Sequence, residues 1–466
     1  MLSPRQALQK HRSLRSLLFI FCCFFLSSGI YLSWMYHLSA FVSDAAVDFY
    51  TLIAAYLCQA AGLALFALLC QNRPSLITLP ACALCLLLMM LCSVPAIRSA
   101  LLSGVLLFGL LANLFIGLLA GFYLWDLSLQ VDENRRGLVF GCAYGCATVA
   151  MWLASLIGTE PLPQTGYAFL LYLPAAALLL VFFPAGAAPE EVSAPSAGRV
   201  PLPAGSRSLI LLTALTVFFL SLVKGIGFDF PLFDLARGVS LEFSRILYAV
   251  GLLAAGLIAD RSRKAGAVCT LAALITPFIL LTLRGEPISA TVFWAIDYLF
   301  FGFFSVFRVL CFSDLSKKLS EPFLAGFGLL FGRLGDAVGA SVNLLLSGRT
   351  APLVLVAALL FFLTVFLFFR FYQKSYLSDP AKEKNDRELF ERFSGQYGLS
   401  PKERSVMRLV IEERSNAEIA QSLFVSESTV KFHIHNILKK TAPPSWTATV
   451  NRARPRSAER IAQKAP

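Results

Sequence analysis

The segment from Ser426 to Lys440, SESTVKFHIHNILKK, contains polar and basic side chains at the spacing of a helix. Its apolar residues recur every three or four positions, so the remaining side chains point largely away from the apolar face. A lysine on the polar face can reach a phosphate oxygen or a guanine edge, which are contacts that proteins make with double-stranded DNA. Lys431 and Lys440 could make such contacts, and Ser428, Thr429 and His433 lie largely off the apolar face.

A second set of ionisable residues lies inside long apolar runs of the chain: Lys224, Asp297, Arg308, Arg333 and Asp336. Such groups are costly in lipid and often mark a ligand or ion site. Arg333 and Asp336 could pair on one helix, whereas Asp297 and Arg308 are about three helical turns apart and cannot touch. One hypothesis places Asp297, Arg308, Arg333 and Asp336 around a polar cavity for a small-molecule ligand or a coupling ion. The alternative is that they form structural pairs or extend to the membrane surface, which would suit Arg308 near the predicted end of its span.

The composition is that of a membrane protein up to about Tyr376. Hydrophobic residues make up 57% of the 466 residues and charged residues only 15%, against roughly 25% in soluble proteins. Apolar runs in this region are roughly 18–25 residues long, the length that crosses ~30 Å of hydrocarbon. All 11 cysteines lie in this region, where a thiol behaves as a small hydrophobic group. We therefore expect no disulfide framework, no metal site and no cofactor.

About twelve membrane spans are predicted. Lys and Arg concentrate in alternate loops, such as those at Arg135/Arg136 and Lys317/Lys318, and short loops of this kind face the cytoplasm. We expect a multi-pass protein of a bacterial cell membrane with both termini in the cytoplasm. Its first span is expected to act as the insertion signal, in place of a cleaved signal peptide. The predicted spans are 16–37, 47–70, 76–97, 100–124, 137–158, 165–184, 207–228, 243–259, 265–283, 289–312, 323–347 and 351–373.

A linker rich in Pro, Gly, Ala and Ser, at 186–206, divides these spans six and six. The fifth span of each half carries glycines four positions apart, a spacing that lets another helix approach closely. Matched positions in the two halves favour a duplicated six-helix unit. The glycines are Gly137, Gly141 and Gly145 in the first half, with Gly328, Gly332, Gly335 and Gly339 in the second.

The loop after the eighth span reads GLIADRSRK, from Gly256 to Lys264. It resembles the loop signature of the major facilitator superfamily, Gly-x-x-x-Asp-Arg-x-x-(Arg/Lys), which follows the second span of a half. Gly256 could close the helix end against a neighbour, and Asp260 could accept from backbone N–H groups or pair with an arginine. Basic residues from Arg261 to Lys264 would hold the loop on the cytoplasmic side. The corresponding loop of the first half keeps only Arg73.

The sequence pattern after residue 398 predicts three short helices. Ser400 and Glu403 have the spacing of a capping box with Pro401 at the first helical position, Asn416 could cap a second helix, and Ser426 a third. The residues FVS between the last two form a tight turn. A short helix, a tight turn and a longer helix with a basic outer face indicate a helix-turn-helix, whose second helix fits the major groove of DNA.

SNAEIAQSLFVSESTVKFHIHNILKK resembles the LuxR-type helix-turn-helix family in the runs Ser-Asn-x-Glu-Ile-Ala, Leu-x-x-Ser-x-x-Thr-Val-Lys-x-His and Ile-x-x-Lys. The resemblance implies DNA contacts from Thr429, Lys431 and His433, and a phosphate contact from Lys440. For His433 an orienting or packing role is the alternative, and His435 is expected to be solvated.

Two departures from this family are visible. Glu413 stands where the family usually has glycine, and the residues after Lys440 lack the pattern of its fourth, dimer-forming helix. Pro443, Pro444 and Pro455 exclude one continuous helix there. The basic segment 442–466 is expected to be disordered, either as an altered C-terminus or as a nonspecific DNA-binding arm.

The fold class expected is all-α: a polytopic membrane helical bundle of two six-helix halves with a small C-terminal helix-turn-helix domain. The leading hypothesis is a membrane-embedded transcription regulator that senses a ligand. Its partners would be double-stranded DNA, the lipid bilayer and a second copy in a homodimer. The alternative is a secondary transporter with a regulatory tail, and no residue set typical of an enzyme is found. The predicted domains are 1–15 (N-terminus), 16–185 and 207–373 (membrane halves), 186–206 and 374–397 (linkers), 398–441 (helix-turn-helix) and 442–466 (tail).

Overall fold

A computed structural model describes residues 4–155, 167–183, 206–227, 241–276, 290–346, 349–377, 380–411 and 415–441. The elements found there are all helical, which confirms the all-α prediction. The chain divides into two compact units, Met1–Tyr376 and Leu377–Pro466. The predicted tail 442–466, Glu413 and nearly all of the linker 186–206 lie outside the described residues.

Twelve helices of the first unit each overlap one of the twelve predicted spans. They are α1 (Pro4–Ser39), α2 (Asp44–Asn72), α3 (Leu79–Arg98), α4 (Leu102–Gln130), α5 (Arg136–Ser155), α6 (Tyr167–Phe182), α7 (Ser206–Gly227), α8 (Leu241–Arg261), α9 (Arg263–Ala273), α10 (Ala290–Leu319), α11 (Phe327–Leu345) and α12 (Thr350–Tyr376). Within the described ranges, nine helices are long and apolar enough to cross a membrane. The other three are α6, α8 and α9.

Two helices extend well beyond their predicted ends, by six and seven residues. The span predicted to end at 124 continues to Gln130, so Asp126 lies buried inside α4. The span predicted to end at 312 continues to Leu319. Arg308 is therefore well inside α10, where its side chain is buried and pairs with Asp336.

The two six-helix halves meet along two equivalent seams. The fifth helix of the first half, α5, packs against the second helix of the other half, α8, and α11 packs in the same way against α2. This exchange of second and fifth helices is what a duplicated unit packed face to face would produce.

Close approach at the α5–α8 seam depends on two glycines. A Cβ added to Gly256 would lie 2.3 Å from the carbonyl oxygen of Gly137, and one added to Gly137 would lie 2.6 Å from the carbonyl oxygen of Gly256. The second-half glycines do not reproduce this packing, since Gly335 and Gly339 lie against α7 instead of α2. The matched glycine spacing therefore gives close packing in both halves, but with non-equivalent neighbours.

The described residues of the second unit form four helices around their own hydrophobic core: α13 (Pro380–Gln396), α14 (Pro401–Ile411), α15 (Asn416–Leu423) and α16 (Glu427–Thr441). The sequence placed a polar linker at 374–397, but α13 occupies most of it. Phe390 and Phe393 of α13 are buried against the same core as Val406 and Ile437. Two apolar residues on a polar helix are enough to make it part of the folded unit.

Candidate functional sites

The predicted capping box at the start of α14 is present. The backbone N–H of Ser400 donates to Oε2 of Glu403 at 2.7 Å, and the N–H of Glu403 donates to Oγ of Ser400 at 3.4 Å. These bonds satisfy N–H groups that the first turn of a helix leaves without partners. The predicted start of this helix is confirmed.

The next helix, α15, is capped by Ser415 and not by Asn416. Oγ of Ser415 accepts from the N–H of Glu418 at 3.3 Å, and the N–H of Ser415 donates to Oε2 of Glu418 at 2.8 Å. Ser415 has the extended backbone that a capping residue needs, while Asn416 is already helical. The prediction was one residue late because both side chains are good caps.

A tight turn joins α15 to α16, as predicted from the residues FVS. Phe424 ends α15 in the left-handed conformation, with φ of 53°, and the N–H of Val425 donates to the carbonyl of Ala420 at 3.0 Å. Such a turn usually has glycine at the left-handed position. Phe424 lacks the backbone freedom that lets glycine adopt this conformation, and 95% of its surface is exposed.

Helix α16 presents one buried and one exposed face. Oγ of Ser426 accepts from the N–H of Thr429 at 3.2 Å, which confirms the predicted cap. Val430 and Ile437 are buried in the core. Five exposed residues lie on the opposite face, at helical spacing: Ser428, Lys431, Phe432, His435 and Lys439.

The DNA-contact candidates fall into different environments. Ser428 and Lys431 are exposed, whereas Thr429 and His433 are half-buried. His435 is exposed, as expected for a solvated residue. Sequence reasoning overlooked Phe432, which is 61% exposed in the middle of the outer face of α16. A large apolar side chain among polar neighbours on a recognition helix is the signal that could have identified it.

Lys440 has a structural partner that the sequence did not predict. Its ammonium donates to Oε2 of Glu403 at 2.6 Å and to the carbonyl oxygen of Gly398 at 3.1 Å. Burial alone would raise the pKa of the Glu403 carboxyl group, but hydrogen bonds from Lys440 and Ser400 outweigh it and hold this pKa below the usual 4.5. In this arrangement Lys440 ties the end of α16 to the start of α14, which competes with its predicted phosphate contact.

The loop signature after α8 joins the two membrane halves. The carboxylate of Asp260 accepts from the N–H groups of Gly137 and Leu138 at 2.8 and 2.7 Å, at the start of α5. It also pairs with Arg263 at 2.9 Å. A carboxylate at a helix N-terminus is favoured by the helix dipole, so Asp260 caps a helix of the opposite half.

Within the part of the chain that the structure describes, Arg263 is the basic residue of this loop that forms ion pairs. It bonds Asp314 of α10 at 2.7 Å and also donates to the carbonyl of Glu133. Asp314 in turn pairs at 2.6 Å with Arg136, which is fully buried. Arg261 and Lys264 are exposed. The sequence motif thus located the loop, while the partners Asp314 and Arg136 come from distant segments.

Four of the five intramembrane charges predicted from the sequence form a cluster around Asp336. Its carboxylate lies 2.6 Å from Nζ of Lys224, 3.1 Å from Arg308 and 3.8 Å from Arg333. The predicted pairing of Arg333 with Asp336 is therefore the longest of three contacts. Asp297 is buried, and its Oδ2 has no hydrogen-bond partner in the described structure.

A cavity of about 120 Å³ lies between the two membrane halves. Arg308 and Arg333 line it, but Asp297 and Asp336 are not among its lining residues. Eight of the twenty described lining residues are aromatic, and six of these are tyrosines: Tyr31, Tyr56, Tyr123, Tyr144, Tyr248 and Tyr298. The sequence found the charges but missed this tyrosine wall, because tyrosines scattered through apolar spans look like ordinary packing residues.

The part of α2 that faces this cavity follows an irregular turn. Residues Phe49–Ala54 form a π-helical turn, and Tyr56 and Gln59 of the cavity wall come directly after it. Gln59 donates to Oδ1 of Asn113 at 2.7 Å, so its orientation is fixed across α2 and α4. π-Helical turns occur frequently at functional sites.

Comparison with known proteins assigns the C-terminal unit. Residues 398–450 match the family described as bacterial regulatory proteins, luxR family. The spore germination protein GerE of Bacillus subtilis is 38% identical over 50 residues, which are 11% of this chain and 68% of that protein. The uncharacterized transcriptional regulatory protein YhcZ of Bacillus subtilis is 40% identical over 62 residues, 13% of this chain and 24% of that protein. This chain thus spans less than a third of the length of several regulators that it matches.

The membrane unit is similar in fold to a solved transporter. The crystal structure of the human organic anion transporter MFSD10 (TETRAN) superposes with a TM-score of 0.50 and 15% sequence identity, over 79% of this chain and 100% of that one. At this identity the likeness concerns the fold alone. It supports the major-facilitator-like architecture predicted from the sequence.

Proposed function

Because this chain belongs, through its C-terminal unit, to the luxR family of bacterial regulatory proteins, we propose that it is a membrane-embedded transcription regulator. The observation that carries the proposal is the presence, in one chain, of a helix-turn-helix with an exposed basic helix and a transporter-like membrane unit with an internal cavity. A ligand in the cavity would control DNA binding within the same chain, because a ligand shifts an equilibrium between two states by its difference in affinity for them.

This function requires both termini in the cytoplasm of a bacterial cell, where DNA is accessible. The alternation of Lys- and Arg-rich loops supports that orientation. We also propose that two copies act together on DNA, since two-fold sites usually require two recognition helices.

Helix α16 would lie in the major groove. Lys431 would contact a phosphate or a guanine from the exposed face, and Ser428 would add a hydrogen bond beside it. Thr429 and His433 are half-buried, so they would contact DNA only through their outer edges. Phe432 supplies an apolar surface at the centre of the same face.

The test uses the full-length chain in lipid nanodiscs and DNA sites recovered by mapping the intact protein on its genome. We expect Lys431→Ala to weaken binding about tenfold, because one good contact in the groove contributes roughly 1–3 kcal/mol. If Lys431 contacts a phosphate, the slope of log affinity against log salt should also fall by about one unit.

Lys402→Ala is the matched control, since Lys402 is an exposed lysine of the same unit on α14. It should leave affinity and salt slope close to those of the wild type. An unmodified chain that binds no DNA at low salt, or an effect of Lys431→Ala no larger than that of Lys402→Ala, would remove the proposal.

A second candidate function, secondary transport, is favoured by the cavity between the two six-helix halves. Proteoliposomes that contain the full chain would then accumulate labelled solute, and Arg333→Gln or Asp297→Asn would reduce the uptake. Uptake unaffected by both substitutions would show that these residues do not carry transport.

A further inference from the structure

We propose that the cavity between the membrane halves binds a small aromatic carboxylate, with Arg308 and Arg333 holding its anionic group. The inference names the ligand class for the sensing role proposed above, and in that sense it rests on that role. It is carried by the charge of the cluster, by unpartnered arginine nitrogens and by the aromatic wall.

The cluster beneath the cavity carries more positive than negative charge. Lys224, Arg308 and Arg333 all lie within 4 Å of the single carboxylate of Asp336. No Asp or Glu occurs among the described residues that line the cavity. In a medium of low polarity an incoming cation would be repelled by this cluster, whereas an anion would offset its charge.

Both cavity arginines retain a donor without a partner. Nε of Arg308 and Nε of Arg333 are buried and make no hydrogen bond in the described structure. An unpaired buried donor is costly and unusual in a folded protein. The two oxygens of a carboxylate can accept two parallel hydrogen bonds from one guanidinium group. A neutral oxygen or a halide cannot do this.

The wall indicates what is attached to the carboxylate. The guanidinium of Arg333 lies over the ring of Tyr56 at 4.2 Å, and the rings of Phe24 and Tyr144 are stacked with centroids 3.8 Å apart. Flat faces beside guanidinium groups favour a planar ligand body. The volume of about 120 Å³ is below the ~300–1,000 Å³ typical of sites for drug-sized ligands, so the ligand should be about the size of one substituted ring.

Three planar probes of nearly equal shape separate charge from packing: benzoate, benzamide and benzamidine, with charges of −1, 0 and +1. Binding is measured by calorimetry on the full-length chain in nanodiscs without DNA. We expect benzoate to bind at least ten times more tightly than benzamide, with no heat from benzamidine. Equal affinity for benzoate and benzamide, or no benzoate binding up to about 10 mM, would overturn the proposal.

Arg333→Gln should weaken benzoate at least tenfold and leave benzamide unchanged. Arg135→Gln, at an exposed arginine of a loop, is the matched control and should change neither. Should Arg333→Gln fail to fold, Arg333→Lys keeps the charge but lacks the planar fork, and it should still weaken benzoate selectively. A benzoate affinity that neither substitution changes contradicts the assignment.

DNA binding by the same nanodisc sample keeps this inference separate from the proposed function. If DNA binds and benzoate does not, the ligand class is wrong and the regulator remains supported. If benzoate binds with the predicted selectivity and DNA does not bind, the site stands and the regulatory role falls.

Discussion

The ammonium of Lys440 lies 2.6 Å from Oε2 of Glu403, so the last turn of the recognition helix is held by the first turn of α14. The same carboxylate accepts from the backbone N–H of Ser400. One buried side chain therefore completes a helix cap and an ion pair between helices.

Replacing Glu403 with Gln should separate these two roles. Gln can keep the cap but not the charge, so in a fragment of residues 377–466 we expect the free energy of unfolding at pH 7 to fall by about 1 kcal/mol. Because folding lowers the pKa of Glu403, the stabilisation is complete above the unfolded-state value near 4.5 and is lost as pH falls through the folded-state value.

Urea unfolding of the two proteins from pH 7 to pH 3 measures this difference. Glu391→Gln is the control, since Glu391 forms exposed pairs with Arg404 and Arg408. A stability gap between the wild type and Glu403→Gln that does not narrow in acid would contradict the proposed role of the pair.

The turn before the recognition helix is strained at Phe424. In the left-handed conformation, a residue with a side chain is less stable than glycine by roughly 1 kcal/mol of free energy. Phe424→Gly should therefore raise the unfolding free energy of the same fragment by about 1 kcal/mol, although it removes a large apolar group. Phe424→Ala removes the ring but keeps the strained conformation, and its stability should match the wild type. Equal effects of Gly and Ala would show that the exposed ring, not the backbone, determines stability.

Local signals in the sequence predicted much of this unit correctly. The caps at Ser400 and Ser426 and the turn at Phe424 depend on residues only a few positions apart. The pair of Lys440 with Glu403 joins residues 37 positions apart, and nothing local indicates it. The sequence did not predict that α13 belongs to the folded unit, for the same reason. Phe390 and Phe393 are buried against residues of the later helices, and no local pattern indicates that contact.

Among the described residues of the membrane unit, hydrophobic length located twelve helices but not their contacts. Spacing alone suggested that Arg333 would pair with Asp336, whereas the closest partner is Lys224 on another helix. Likewise, the loop motif identified Asp260, but its bonds to Gly137 and Leu138 appear only when the two halves pack together.

Phe432 should determine part of the DNA sequence preference. An exposed ring on the recognition helix can contact the methyl group of thymine. Phe432→Ala should weaken binding of the full chain to its site by about fivefold, without changing the salt slope. Replacing the contacted thymine with uracil removes the methyl group and should make the wild type and Phe432→Ala equal. A persistent difference on every uracil-substituted site would exclude a methyl contact.

The cap that Asp260 places on α5 should stabilise the contact between the two membrane halves. Its carboxylate accepts two backbone N–H groups and pairs with Arg263, and hydrogen bonds to a charged group contribute about 1.5–3 kcal/mol each. Asp260→Asn should therefore lower the thermal midpoint of the full chain in nanodiscs. Arg261→Gln changes an exposed residue of the same motif and should leave the midpoint unchanged.

A double-mutant cycle tests whether Asp260 acts through this network. Arg263→Gln alone removes the links to Asp260 and Asp314, so it should also lower the midpoint. Because the two side chains are in contact, the double variant should lose less than the sum of the two single losses. Strictly additive losses would mean that Asp260 stabilises α5 independently of Arg263, and that the two halves are not held by one connected set of charges.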